Sequence, residues 1–167
     1  VEVGKYMEIT DVKSKKLDKI TEKLGQLSET ELDHAEKFLD ALFTQERKPF
    51  DHYLGKFLEI DQSGTCFKMR LGVQTENTYG VAQGGAVFSL ADIAIGFHLI
   101  EKLPKDVKVF TLELKMNFIK GGKGDYLLAK PKILHLGNTT AVTECEITDD
   151  QGELVAKAFG TFYLKRT

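Results

Sequence analysis

GGAVFSLADIAIGFHLIEKL, residues 84–103, followed by Pro104, is the stretch that decides how this chain folds. It is rich in Ala, Leu and Ile, too long for one strand, and ends where proline forbids a further helical turn, so it reads as a helix buried on most sides. Its most apolar part, residues 86–100, is interrupted by Asp92 and His98 and is shorter than the roughly 20 residues of a membrane span. No membrane crossing is expected of it.

On the C-terminal side of this helix the period drops to two. Phe110, Leu112, Leu114, Met116 and Phe118 alternate with Thr111, Glu113, Lys115 and Asn117. This is a strand with one covered face, and strict alternation puts Thr111 on the polar side. Residues 126–136, 139–148 and 154–165 continue as strands, separated by Gly137-Asn138 and by Asp149-Asp150-Gln151-Gly152, both hairpin compositions. Before the helix, residues 57–60 and 66–73 read as two more strands around the turn Asp61-Gln62-Ser63-Gly64, with a loop over 74–83. Strands and helices do not alternate, which excludes a doubly wound parallel sheet. The expected class is α+β: an antiparallel sheet of five to six strands curled around one central helix, over residues 51–167.

Residues 1–50 have a different pattern and are expected to form a helical extension. Ser14 can cap a short helix carrying Leu17, Ile20 and Leu24, with Gly25 at its C′ position. Ser28-Glu29-Thr30-Glu31 reads as a capping box for a second helix, with Leu32, Ala35, Leu39, Leu42 and Phe43 on one face and Pro49 forbidding continuation.

A length of 167 residues suits one core, and 42% hydrophobic with 29% charged residues excludes a disordered or fibrous chain. The formal charge is −2, and the first fifty residues carry nine Lys and Arg against eleven Asp and Glu, so a nucleic-acid partner is not expected. Cys66 and Cys145 form no Cys-x-x-Cys pair, and His34, His52, His98 and His135 show no ligand spacing. Neither a metal site nor a disulfide is expected. Residues 1–5 show no basic-then-apolar secretory pattern, and the expected location is the cytoplasm.

Asp92 carries the chemical signal. Desolvating an ionised carboxylate amid Leu90, Ala91, Ile93 and Ala94 costs several kcal/mol unless it has partners. It therefore either has a job, or lies on a narrow exposed stripe or accepts hydrogen bonds from a neighbouring strand. Gly84-Gly85 opens the helix, and its unshielded N–H groups at the positive end of the dipole suit an oxygen that gains negative charge. Gly84 and Asp92 are eight residues apart, about 12 Å along a helix. One copy cannot bring both to one carbonyl carbon, so a dimer is expected, with each copy supplying one half.

Residues 77–92, Asn-Thr-Tyr-Gly-Val-Ala-Gln-Gly-Gly-Ala-Val-Phe-Ser-Leu-Ala-Asp, resemble the central motif of hotdog-fold acyl-CoA thioesterases, in particular the phenylacetate-pathway (PaaI-like) branch. That pattern runs Asn, Gly, His-Gly-Gly, Leu and Asp at these spacings. Residues 116–125 resemble the family's strand and glycine turn after the helix, and residues 150–156 its last hairpin. The resemblance implies an acyl-CoA thioesterase in which Asp92 is the general base or nucleophile and the Gly84 N–H polarises the thioester carbonyl. Asn77 would hold the water or the carboxylate, and Thr111 would orient the water. It implies no cofactor beyond the coenzyme A of the substrate, and a homodimer or a dimer of dimers.

Gln83 departs from the pattern, which has His there; Gln keeps a hydrogen-bonding reach but cannot carry a proton near neutral pH. A thiolate with a pKa near that of cysteine, about 8.5, leaves without an acid, so hydrolysis survives the change. Gly85 belongs with Gly84 in the binding turn. Lys120 and Lys123 flank Gly121-Gly122 and, with Lys165 and Arg166, are candidates for the CoA phosphates. Phe88, Phe97 and Phe118 are expected to set the size of the acyl pocket. The alternatives are a non-catalytic acyl-CoA-binding module and, more remotely, a dehydratase, which needs the histidine that Gln83 replaces.

Overall fold

In the sheet, every neighbouring pair is antiparallel and the order is β1-β2-β4-β5-β6-β3, which leaves β1 and β3 as its edges. The strands are β1 (Ile60–Ser63), β2 (Cys66–Arg70), β3 (Val107–Phe118), β4 (Tyr126–Leu136), β5 (Thr140–Asp149) and β6 (Leu154–Arg166). The helices are α1 (Glu2–Leu24), α2 (Glu29–Leu42), α3 (Phe50–Phe57) and α4 (Gly84–Lys102). This computed structural model describes residues 2–43 and 50–166, with side chains for 12–43 and 53–166. The chain divides into two units, Val1–Asp40 and Ala41–Thr167.

α4 lies against the inner face of the sheet. It is long and apolar enough to cross a membrane by length and composition alone. Val87, Leu90, Ala91, Ala94, Ile95 and Leu99 are instead buried in the core with Phe67, Met69, Leu127, Ala129, Ile147, Ala156 and Phe162. The opposite face of the sheet carries a charged ladder across three strands, Lys132–Glu144 at 3.5 Å, Glu144–Lys157 at 3.2 Å and Lys157–Glu146 at 3.0 Å. An antiparallel sheet wrapped on one long helix is the hotdog arrangement that the central motif implied.

Three readings are corrected by the backbone. Residues 57–60 are not a strand: Phe57 ends α3, in which Phe50, Leu54 and Phe57 recur at helical spacing, and Leu54, Phe57 and Leu58 pack on the core. Glu59 then takes a left-handed φ of 51° and stops the helix. The turn expected at 61–64 is displaced, because Ser63 pairs with Cys66 and leaves Gly64 and Thr65 as a two-residue hairpin turn with Gly64 at φ 63°. α1 runs from Glu2 straight through Ser14, so Ser14 caps nothing. Gly25 follows α1, but not in the left-handed conformation.

The capping box is present: the Ser28 N–H donates to Glu31 Oε2 at 2.8 Å, and the Glu31 N–H donates to Ser28 Oγ at 3.4 Å. These bonds hold the Glu31 carboxyl below its ordinary pKa. α2 ends at Leu42, and Pro49 lies outside the described residues. Cys66 and Cys145 are both free thiols, and burial pushes the pKa of Cys145 up to about 12.

The feature that places the site is a β-bulge in β3. Thr111 pairs with Phe162 and Glu113 with Thr161, so Leu112 is the extra residue. Before the bulge the odd positions Val107 and Val109 face the core; after it the even positions Leu114 and Met116 do. Phe110 and Leu112 point away and stay exposed, and Thr111 is brought onto the helix side. Strict alternation put Thr111 on the polar face; one inserted residue reverses that.

Gly160 stands opposite Leu114 beside this bulge. A Cβ there would lie 2.8 Å from the Phe162 ring and 3.0 Å from the Leu114 methyl. Gly160→Ala should therefore cost about 1–3 kcal/mol by overpacking. Thermal unfolding measures it, and an unchanged melting temperature would show that the neighbours yield freely.

Candidate active site

The loop before α4 is shaped by side chains. Asn77 Oδ1 accepts from the N–H groups of Tyr79 at 2.9 Å and Val81 at 3.4 Å, an Asx-type closure helped by Gly80 at φ 66°. Thr75 is buried, its Oγ1 bridges the N–H and C=O of Gly72, and its own carbonyl accepts from the Gln83 N–H at 2.7 Å. Sequence reasoning missed Thr75, and the only signal for it is a hydroxyl residue at a turn position. The Ala82 N–H reaches Gly122 O at 2.9 Å, tying the loop to the glycine turn.

Gln83 is the N-cap of α4, with φ −66° and ψ 132°, and its Oε1 accepts a short hydrogen bond from the Gly85 N–H. The two glycine N–H groups are thus not equivalent. Gly85 spends its hydrogen on the cap, while the Gly84 N–H has no acceptor among the described residues. Phe118, at the far end of β3, covers Gly84, its ring 3.5 Å from where a Cβ would stand.

Eight residues on, half-buried Asp92 accepts from the Thr111 hydroxyl, Oγ1 to Oδ1 2.9 Å. The bulge is what brings this hydroxyl to the helix. Both residues line a cavity of about 150 Å³ with Ile93, Gly96, Phe97, Ile100, Val109 and Phe162. Within one chain Asp92–Thr111 and Gly84–Phe118 remain separate stations, about 12 Å apart along the helix.

The other candidates are dispersed. Phe88 is exposed and lines neither this cavity nor the larger one beside it. The Lys120 ammonium is held by Asp149 at 2.7 Å and by Glu153, so its charge is already neutralised. Lys123 forms no ion pair among the described residues. Lys165 and Arg166 pair with the start of β3, at the opposite end from the glycine turn, and Arg166 Nε donates to Asn138 O at 3.1 Å. His98 is buried, and burial pulls its pKa down; His34 is half-buried and His135 exposed, while the His52 side chain lies outside the described set.

Residues 79–156 match the family described as the thioesterase superfamily. A Bacillus halodurans protein crystallised with CoA superposes with a TM-score of 0.78 at 28% identity, over 89% of this chain and 99% of that one. A hypothetical thioesterase from Streptococcus pneumoniae, crystallised with coenzyme A, is 31% identical at a TM-score of 0.56, over 61% of this chain and 81% of that one. The medium/long-chain acyl-CoA thioesterase YigI of Escherichia coli is 23% identical over 68% of this chain and 84% of its own.

The Lys120–Asp149 pair has a testable pH signature. Its hydrogen bond holds the Asp149 carboxyl below the usual carboxylate range. The stabilisation is complete above the unfolded value of about 3.9 and is lost as pH falls through the lower folded value. Unfolding followed from pH 7 to pH 2 should weaken on the acid side, and Asp149→Asn should flatten that slope; parallel curves would remove the pair from the account.

Proposed function

We propose, from the premise that this chain belongs to the thioesterase superfamily and is a thioester hydrolase, that its substrate is an acyl-CoA, cleaved by Asp92 of one subunit on a carbonyl held by Gly84 of another. The observation that carries the reading is the Thr111 hydroxyl 2.9 Å from Asp92 at the wall of an otherwise apolar cavity. It fixes one carboxylate oxygen and leaves the other to take a proton from water or to attack the carbonyl itself. The Gly84 N–H, unclaimed and at the positive end of α4, stabilises the oxyanion that forms. The C–S bond then breaks and CoA departs as thiolate, with water supplying the new oxygen of the acid. Gln83 acts by position: its carbonyl occupies Gly85, so a single donor faces the substrate. Asn77 serves by holding the loop that delivers Gln83. Lys123, rather than the neutralised Lys120, is the cation assigned to the CoA phosphates.

The two stations meet through the edge strand. β3 carries unpaired backbone groups along its outer side, which a second β3 can satisfy by antiparallel pairing about a two-fold axis. If the axis passes between Leu114 and Lys115, Thr111 of one copy stands opposite Phe118 of the other. Asp92 then faces the partner's Gly84. A shared site also favours turnover over binding alone, because both the base and the oxyanion donor have places in it.

Gly84→Pro tests the donor without removing the helix. Proline is favoured at the first helical position, and Gln83 already has the extended ψ that a following proline requires. Thiol release from acyl-CoA esters should fall about 10²–10³-fold in this variant and about 10²–10⁴-fold in Asp92→Ala. Random pairing of the two variants in equal amounts rebuilds one intact site in each mixed dimer, so about a quarter of wild-type activity should return. No recovery in mixed dimers would exclude the shared site, and an Asp92→Ala enzyme as fast as wild type would exclude Asp92.

A further inference from the structure

The cavity beside Asp92 does not stand alone. Ile93 and Phe97, one helical turn apart on α4, line it and also line a second cavity of about 270 Å³, whose other walls are Ile60, Phe67, Gly55, Lys56, Asp61 and Gln62. The Phe97 ring stacks on Phe67, centroids 6.5 Å apart at 27°. The second cavity is apolar where α4 and β2 meet and polar only at its rim, where Gln62 Nε2 donates to Glu101 Oε1 at 2.5 Å and ties β1 to the end of α4. Asp92 and Thr111 border only the first, and the two residues common to both linings, Ile93 and Phe97, are apolar.

The volumes distinguish classes of acyl group. A group the size of a water molecule fills about 30 Å³, and an apolar cavity of about 150 Å³ holds one benzene ring. The first chamber therefore takes about five methylene-sized groups, and the second adds room for about nine more. Resting on the thioesterase reading of Asp92, we infer that linear acyl groups of medium length, up to about fourteen carbons, are the fitting substrates. Their first carbons lie beside Asp92 and the remainder passes the Phe97 side chain into the chamber walled by α3 and β1. Phe97 is thereby the residue that sets chain length, and the α3 segment that closes the second chamber is part of the substrate site.

The test is a chain-length profile of thiol release over butyryl-, octanoyl-, decanoyl-, palmitoyl- and benzoyl-CoA. A Cβ at Gly55 meets nothing within 4 Å, and leucine is a better helix former than glycine, so Gly55→Leu fills the second chamber without threatening α3. It should lower the decanoyl-to-butyryl ratio of kcat/KM at least tenfold. Phe97→Leu, which keeps an apolar group on the core while opening the passage, should raise the same ratio about threefold. Ratios unchanged within twofold in both variants would overturn the two-chamber site while leaving Asp92 in place. So would a wild-type profile in which benzoyl-CoA exceeds every linear ester, since the acyl group would then fit wholly beside Asp92. A wild-type protein that cleaves none of the esters, but is sound by thermal unfolding, would sink the thioesterase reading itself and this inference with it.

Discussion

An apolar helix needs cover on more sides than one sheet can offer, and the rest of the molecule is arranged around that need. Leu90, Ala91, Ala94 and Ile95 of α4 are sealed by the sheet, and the strip through Asp92, Ile93, Gly96, Phe97 and Ile100 remains at the border between the two sheet edges. Burial of the sealed positions holds the helix in place at about 1.5–3 kcal/mol for each large side chain. The uncovered strip is then a place where the most apolar segment of the chain can meet a ligand. The carboxylate of Asp92 on that strip is half-buried, which suits the role proposed for it, because a base must exchange protons with water.

Much of this was legible in the residues, because period and punctuation agree. The limits of α4, β4, β5 and β6 follow from Pro104, the Gly137-Asn138 turn and Gly152, each a residue whose backbone preference ends an element. α3 escaped because a helix of eight residues ending in aromatic and aliphatic side chains has the same local composition as a buried strand. The β3 bulge escaped for a deeper reason. An extra residue leaves the alternating composition of 110–118 intact and shows itself only in the pairing register with β6. Asp92 could be picked out as an anomaly, and Gly84 as a helix opening. The distinction between the Gly84 and Gly85 N–H groups depends on where the Gln83 carbonyl points, which composition does not encode.

In the proposed site Gln83 serves by position, at the place where the family pattern has histidine. As the N-cap it gives one helix N–H an internal acceptor and leaves its neighbour, Gly84, without one among the described residues. The hydrogen bonds accepted by Thr75, Asn77 and the 120–125 turn fix the loop on which that choice depends. Binding geometry and loop rigidity are therefore the same set of contacts.

The bulge at Leu112 also has a meaning in the arithmetic of insertion and deletion. Most one-residue losses inside a strand invert every side chain beyond them and wreck a core. Here the loss of Leu112 would merge Val107–Thr111 and Glu113–Phe118 into one unbroken alternation, with Val107, Val109, Thr111, Leu114 and Met116 all on the helix side and the pairing with β6 unshifted. Thr111 then stays on the same face as Leu114 and Met116. The bulge is thus the place where β3 can absorb a one-residue loss without turning half of the strand over.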